Sequence, residues 1–101
     1  MEPPDQTRND LVAVGTTAVE VSPARLRGRI EYFIRNSSTA GQVITLVFSN
    51  TVAAVALYGI PLYPGDFVCS SDSGGSKPYN GMMRAVANAA AGQLSIYERV
   101  K

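Results

Sequence analysis

Histidine and tryptophan are absent from this chain of 101 residues, and cysteine occurs once. Without histidine there is no imidazole general base, no Ser-His-Asp or Cys-His nucleophile system and no His-ligated metal. A single cysteine excludes an intrachain disulfide framework and a Cys-only zinc site. Charge of either sign is sparse: nine basic and eight acidic residues leave a net charge of +1 and a charged fraction of 17%. That balance provides no electrostatic footprint for nucleic acid or an anionic membrane. The hydrophobic fraction of 46% is that of a globular chain rather than a disordered one, and the length allows one domain with a small core.

Long apolar runs are missing too. The most apolar stretch, Val43 to Tyr58, is interrupted by Ser49-Asn50-Thr51 and falls short of the roughly 20 residues of a spanning helix. Met1-Glu2-Pro3-Pro4-Asp5 has neither the basic start nor the apolar run of a secretory leader. The expectation is a soluble protein made in a cytoplasm, where Cys69 serves as a small strand hydrophobe. Met1 to Asp10 is polar and carries Pro3 and Pro4, which reads as an extended N-terminal arm before a single domain over 11–101.

From Leu11 onward the texture is that of short β-rich runs split by turn residues. Leu11 to Gly15 and Ala18 to Val21 read as a strand pair or one bent strand, and Ser22-Pro23 breaks the chain. Arg27 to Asn36 alternates most clearly, with Ile30, Tyr32 and Ile34 on one side and Arg27, Arg29, Glu31 and Arg35 on the other. Phe33 falls among those charges, which suggests that the charged face is partly covered by another strand, a loop or another subunit. Gln42 to Ser49 is a strand apolar on both faces, expected to form a hairpin with the preceding one. Val52 to Tyr58 reads as a further strand, and Pro64-Gly65 within Gly59 to Gly65 is a strong turn signal. Asp66 to Ser71 follows as a strand and Asp72 to Gly81 as the longest loop. Met82 to Ala89 and Gln93 to Val100 read as a closing hairpin about Ala90-Ala91-Gly92. Seven or eight strands with turns about every ten residues indicate an all-β fold: a small antiparallel sandwich or jelly-roll-like barrel.

Chemistry-bearing motifs are partial and fail on physical grounds. Asp72-Ser73-Gly74-Gly75 resembles a serine-protease nucleophile loop, but no histidine exists to take the Ser73 proton. As the Asp-Ser-Gly of a dimeric aspartic protease the triplet comes too late in the chain and outside an apolar strand. Gly74-Gly75-Ser76-Lys77 lacks the phosphate-loop spacing and runs into Pro78. Glu20, Glu31, Asp66 and Glu98 have no spacing that demands paired-carboxylate catalysis and read as ordinary carboxylates on strand faces. The expectation is a protein that is not an enzyme, with no catalytic, cofactor-binding or metal-binding residue.

Two groups remain as candidate partner contacts. Arg25, Arg27 and Arg29 alternate along the chain, so on a strand they share one face, either as a solvated stripe or as a surface for an acidic protein. Tyr58, Tyr63 and Tyr79 lie near turns, where tyrosine offers large area with a polar tip. With Pro3 and Pro4 of the arm these are the interface candidates.

Gly59-Ile60-Pro61-Leu62-Tyr63-Pro64-Gly65-Asp66, the ending from Arg84 through Ala89-Ala90-Ala91-Gly92 to Arg99, Val14-Gly15-Thr16-Thr17-Ala18 and Arg29 to Asn36 together form a pattern. It resembles the small β-sandwich virion proteins of tailed bacteriophages, over Val12 to Val100. Metal-binding cupins, which share the Pro-Gly turn, are excluded by the missing histidines. The resemblance implies a capsid decoration or cement protein, a homotrimer on the virion surface. It would bridge copies of the major capsid protein, in part through an N-terminal arm, with no nucleic-acid or membrane partner. The alternative is a carbohydrate- or host-surface-binding module of a phage tail or tail tip, using the three tyrosines.

Overall fold

The computed structural model describes residues 6–25, 27–48, 59–71 and 78–101. Among them the regular structure is entirely β, in eight strands: β1 (Gln6–Val14), β2 (Val19–Ser22), β3 (Arg29–Asn36), β4 (Ile44–Phe48), β5 (Ile60–Leu62), β6 (Phe67–Ser71), β7 (Met83–Ala87) and β8 (Gly92–Val100). They form two four-stranded antiparallel sheets, ordered β1-β8-β3-β6 and β2-β7-β4-β5. Outermost pairs β1·β8 and β2·β7 and inner pairs β3·β6 and β4·β5 are the rungs of one long ribbon, whose outgoing half is β1 to β4 and whose returning half is β5 to β8. Wound over itself, that ribbon is the jelly-roll topology. The sheets face each other as an open sandwich and do not close into a barrel.

Period-two alternation builds the core. Val14, Val21, Tyr32, Ile34, Ile44, Leu46, Leu62, Met83, Ala85, Ala87, Leu94 and Ile96 form one buried cluster between the sheets. Small Ala85 and Ala87 on β7 face the large Ile and Leu side chains, and Gly92 lets β8 enter the sheet against β1. A Cβ on Gly92 would sit 2.5 Å from the Val14 carbonyl oxygen and 3.2 Å from the Ala87 Cβ. At Tyr63-Pro64-Gly65-Asp66 the Asp66 N–H donates to the Tyr63 carbonyl (2.8 Å) and Gly65 has φ 89°. Proline second and a left-handed glycine third make this a type II turn, as the dipeptide predicts.

Several sequence expectations are corrected. The arm does not extend to Asp10, because residues 6–10 pair with β8 from Gln6↔Val100 to Asp10↔Ile96; Pro3 and Pro4 lie outside the described residues. β1 and β2 neither pair nor form one bent strand, since the chain passes at Gly15 from one sheet to the other. The two expected hairpins are also absent: β3 and β4 lie in opposite sheets, as do β7 and β8. Gly, Ser and Ala turns reverse a chain equally well within a sheet or across a sandwich, and local composition does not distinguish the two. The strand expected over Val52 to Tyr58 lies outside the described residues. The covering of β4 on both faces is observed, with Ile44, Thr45, Leu46 and Val47 all buried.

Gly92→Ala is expected to cost about 1–3 kcal/mol by overpacking against backbone. Gly15, whose added Cβ would meet nothing within 4 Å, serves as the control, and Gly15→Ala should leave the thermal midpoint unchanged. Calorimetric melting of both variants checks this, and equal midpoints would refute it.

Candidate functional site

The described residues contain no group of three or more His, Cys, Asp or Glu that would hold a metal. No helix among them is long and apolar enough to cross a membrane. What they do contain is a buried polar knot at one end of the sandwich and an outer sheet face on which Leu11, Phe33 and Phe67 are exposed among polar residues.

The knot centres on Arg29, the first residue of β3. A bulge between Arg29 and Glu31 inserts an extra residue in the pairing with β8 and turns Arg29 inward, where it is 2% exposed. All five guanidinium N–H donors have acceptors. Nε donates to Glu98 Oε2, Nη1 to the carbonyls of Tyr79 (2.7 Å) and Gly81 (2.9 Å), and Nη2 to Ser22 Oγ (2.9 Å) and the Pro23 carbonyl (2.8 Å). The Ser22 hydroxyl donates a hydrogen bond to Glu98 Oε2 (2.8 Å), while Arg25 Nη2 donates to Glu98 Oε1 (2.6 Å). Arg8 approaches the same oxygen at 3.7 Å. Burial pushes the Glu98 carboxyl up, but hydrogen bonds from Arg25, Arg29 and Ser22, with the Arg29 charge, outweigh it and hold the group down at about 2. Glu98 is therefore charged at neutral pH and serves as the counter-ion of Arg29 and Arg25.

This arrangement corrects the reading of Arg25, Arg27 and Arg29 as one exposed stripe. Arg29 faces the interior, and Glu98 is not a surface carboxylate. Arg27 is exposed, and Arg25 is half-buried against Glu98. These two line a shallow cleft of about 300 Å³ with Gln6 and Lys101. The tyrosines are not brought together either. Tyr79 stacks on Phe48 (centroids 5.3 Å apart, planes at 8°) and donates to the Met82 carbonyl at the Arg29 end. Tyr63 is exposed on the β5–β6 turn, at the other end of β3. Tyr58 lies outside the described residues, as do Asp72 to Lys77 of the Ser/Gly loop.

The two sheets differ on their outer faces. On β2-β7-β4-β5, Val47 and Val86 point outward yet are buried together. On β1-β8-β3-β6 the outward residues include Leu11 (62% exposed), Phe33 (37%) and Phe67 (55%). Phe33 and Phe67 stack with centroids 4.9 Å apart. Cys69, opposite Phe33 in the register, is exposed on this face and not a core hydrophobe. Leu11, Asn9, Phe33, Ser95 and Tyr97 line a shallow depression of about 640 Å³, and the Tyr97 hydroxyl donates to Glu31 (2.8 Å) at its side. The misplaced Phe33 was the sequence signal for this face. Leu11 and Phe67 join it only once β1 and β6 are placed at the two edges of one sheet.

The chain matches no protein-family model, and no curated protein is significantly similar to it.

Glu98→Gln should destabilise the protein at pH 7 by about 3 kcal/mol, the linkage value of a carboxyl held at about 2 instead of 4.5. Between those two pH values the unfolded chain binds the proton and the folded one does not. The stabilisation is thus complete above the upper value and is lost as pH falls toward the lower. Denaturant titrations from pH 7 to 2.5 check this, and a variant retaining the wild-type slope between pH 4.5 and 2.5 would rule it out.

Proposed function

We propose that this protein is a non-enzymatic structural component of a phage particle, a capsid decoration or cement subunit. In this reading it is made in the host cytoplasm, sits as a trimer on the virion surface and reinforces the shell by bridging copies of the major capsid protein. The observation that carries the reading is the asymmetry of the two outer faces: the apolar side chains Val47 and Val86 on one are buried, while the other leaves Leu11, Phe33 and Phe67 in water. The register sets these three among Asn9, Ser95, Tyr97 and Arg35 on the same face, and exposed aromatic and aliphatic side chains mixed with polar ones and arginine are the composition of a protein contact. The jelly-roll order adds support by analogy, since viral shells use this architecture, though lectins and cupins do as well. One small sheet face offers a modest contact area, so firm attachment would come from several copies acting together. Exposed Arg27 and Tyr63 lie outside that face and are available for secondary contacts.

A glycan-binding role built on Tyr58, Tyr63 and Tyr79 receives less support, because Tyr63 and Tyr79 are held at opposite ends of the sandwich.

Quantitative mass spectrometry of purified particles should find this chain at a simple whole-number fraction of the major capsid protein. The double variant Phe33→Asp/Phe67→Asp, both sites solvent-facing, should fold and be lost from particles at least tenfold. Absence of the wild-type chain from particles, or undiminished incorporation of the variant, would overturn the proposal. Specific binding on a glycan array would instead favour the tail-module alternative.

A further inference from the structure

The four sheet edges are not alike. β5 is three residues long and contains Pro61, β2 is four residues long and bulged at Val21, and β6 has five residues. Short strands, proline and bulges are the usual means of blunting an edge. β1 has none of them. It runs nine residues in unbroken register with β8, and among the described residues nothing pairs with its other edge. An edge of that length, protected only by the charges of Arg8 and Asp10, is a template for an added strand whose charges match them.

We infer that the free edge of β1 pairs antiparallel with β1 of a second copy of this chain, about a twofold axis through Asn9, to make a continuous eight-stranded sheet. Two constraints select this register. For both sandwiches to lie on the same side of the joined sheet, inward residues must oppose inward residues. Paired residue numbers must therefore sum to an even value. A sum of 16 would set Arg8 against its own copy, and a sum of 20 would do the same to Asp10, both repulsive. A sum of 22 would leave Arg8 and Asp10 opposite valines. At a sum of 18, Arg8 faces the second copy's Asp10 and Asp10 faces the second copy's Arg8, while Gln6 opposes Val12 and Thr7 opposes Leu11. The charges that repel foreign strands thus favour this one partner. Within one chain Arg8 donates to Asp10 through Nε and Nη2 (3.2 and 3.1 Å) and to the Val21 carbonyl through Nη1 (3.2 Å), so the two side chains lie together on the inward side of the edge. The pairing would also place exposed Leu11 beside its symmetry mate's Thr7, extending the apolar face across the axis. This inference is independent of the capsid reading and concerns the isolated full-length chain.

Sedimentation equilibrium of the full chain tests it. The wild type should dimerise reversibly. Asp10→Arg should weaken the dimer about ten- to a hundredfold, because the twofold counts each new repulsion twice. Adding Arg8→Gln to that variant, which removes the arginine facing the new one without setting a carboxylate opposite Glu98, should restore most of the affinity. Asn9→Lys, at an exposed position on the axis, should also dissociate the dimer, and gives a second reading should the Asp10 variant fold poorly. A wild type that remains monomeric at about 1 mM, where even millimolar affinity would be visible, would overturn the inference. So would an oligomer indifferent to Asp10→Arg and Asn9→Lys.

Discussion

A guanidinium removed from water needs acceptors for five N–H groups and an opposing charge, and few places in a small β-sandwich supply them. Arg29 has all of these, and much of one end of the molecule is arranged by that requirement. Its acceptors come from β2, from the connection after it, from β8 and from residues 79 to 81. One side chain therefore ties both sheets and two loops together. Replacing such a pair with well-packed hydrophobes need not weaken a protein, whereas breaking it leaves a buried charge. The network's contribution is to specificity of placement as much as to stability: the bulge at the start of β3 is held in the conformation that turns Arg29 inward.

The other end is closed by a neutral counterpart. Asn36, at the end of β3, is buried and donates through Nδ2 to the carbonyls of Gln42 (2.8 Å) and Leu62 (2.7 Å), while its Oδ1 accepts from the Ser38 N–H (3.0 Å). Gln42 in turn reaches the Ala90 and Ala91 carbonyls (3.0 and 3.2 Å). Both polar clusters sit where connections cross between sheets and leave backbone carbonyls without ladder partners. Buried side-chain donors satisfy them there, as buried backbone groups require. With the ends closed in this way and the middle of the other sheet's outer face buried at Val47 and Val86, the outer face of β1-β8-β3-β6 and the long edge of β1 are the two surfaces among the described residues on which the proposed contacts are built. They adjoin at Leu11 and Asn9, so both proposed contacts draw on the same strand.

Much of the secondary structure is legible locally. The alternation over residues 31 to 36, the apolar run from Ile44, the Pro64-Gly65 turn and the apolar positions Leu94 and Ile96 all follow from side-chain period and turn chemistry. Pairing is not legible in the same way. Adjacent alternating segments read as hairpins, yet β3 and β4, and β7 and β8, separate into different sheets. The choice is made by the winding of a ribbon whose partners are up to about 90 residues apart, from Gln6 to Val100. The three arginines show the limit for a site. Even spacing places them on one face of an ideal strand, but one inserted residue in the ladder reverses Arg29.

By itself, then, the sequence determines what is local or a matter of inventory. The missing histidines exclude imidazole chemistry, the single cysteine excludes a disulfide framework, and period-two patterning between turn residues makes the chain all-β. Tertiary structure alone decides which strands meet, that Glu98 is a buried anion rather than a surface carboxylate, and that Leu11, Phe33 and Phe67 share one bare face. Those outcomes depend on contacts between residues far apart in the chain, and on a bulge whose direction is set by the acceptors waiting for it.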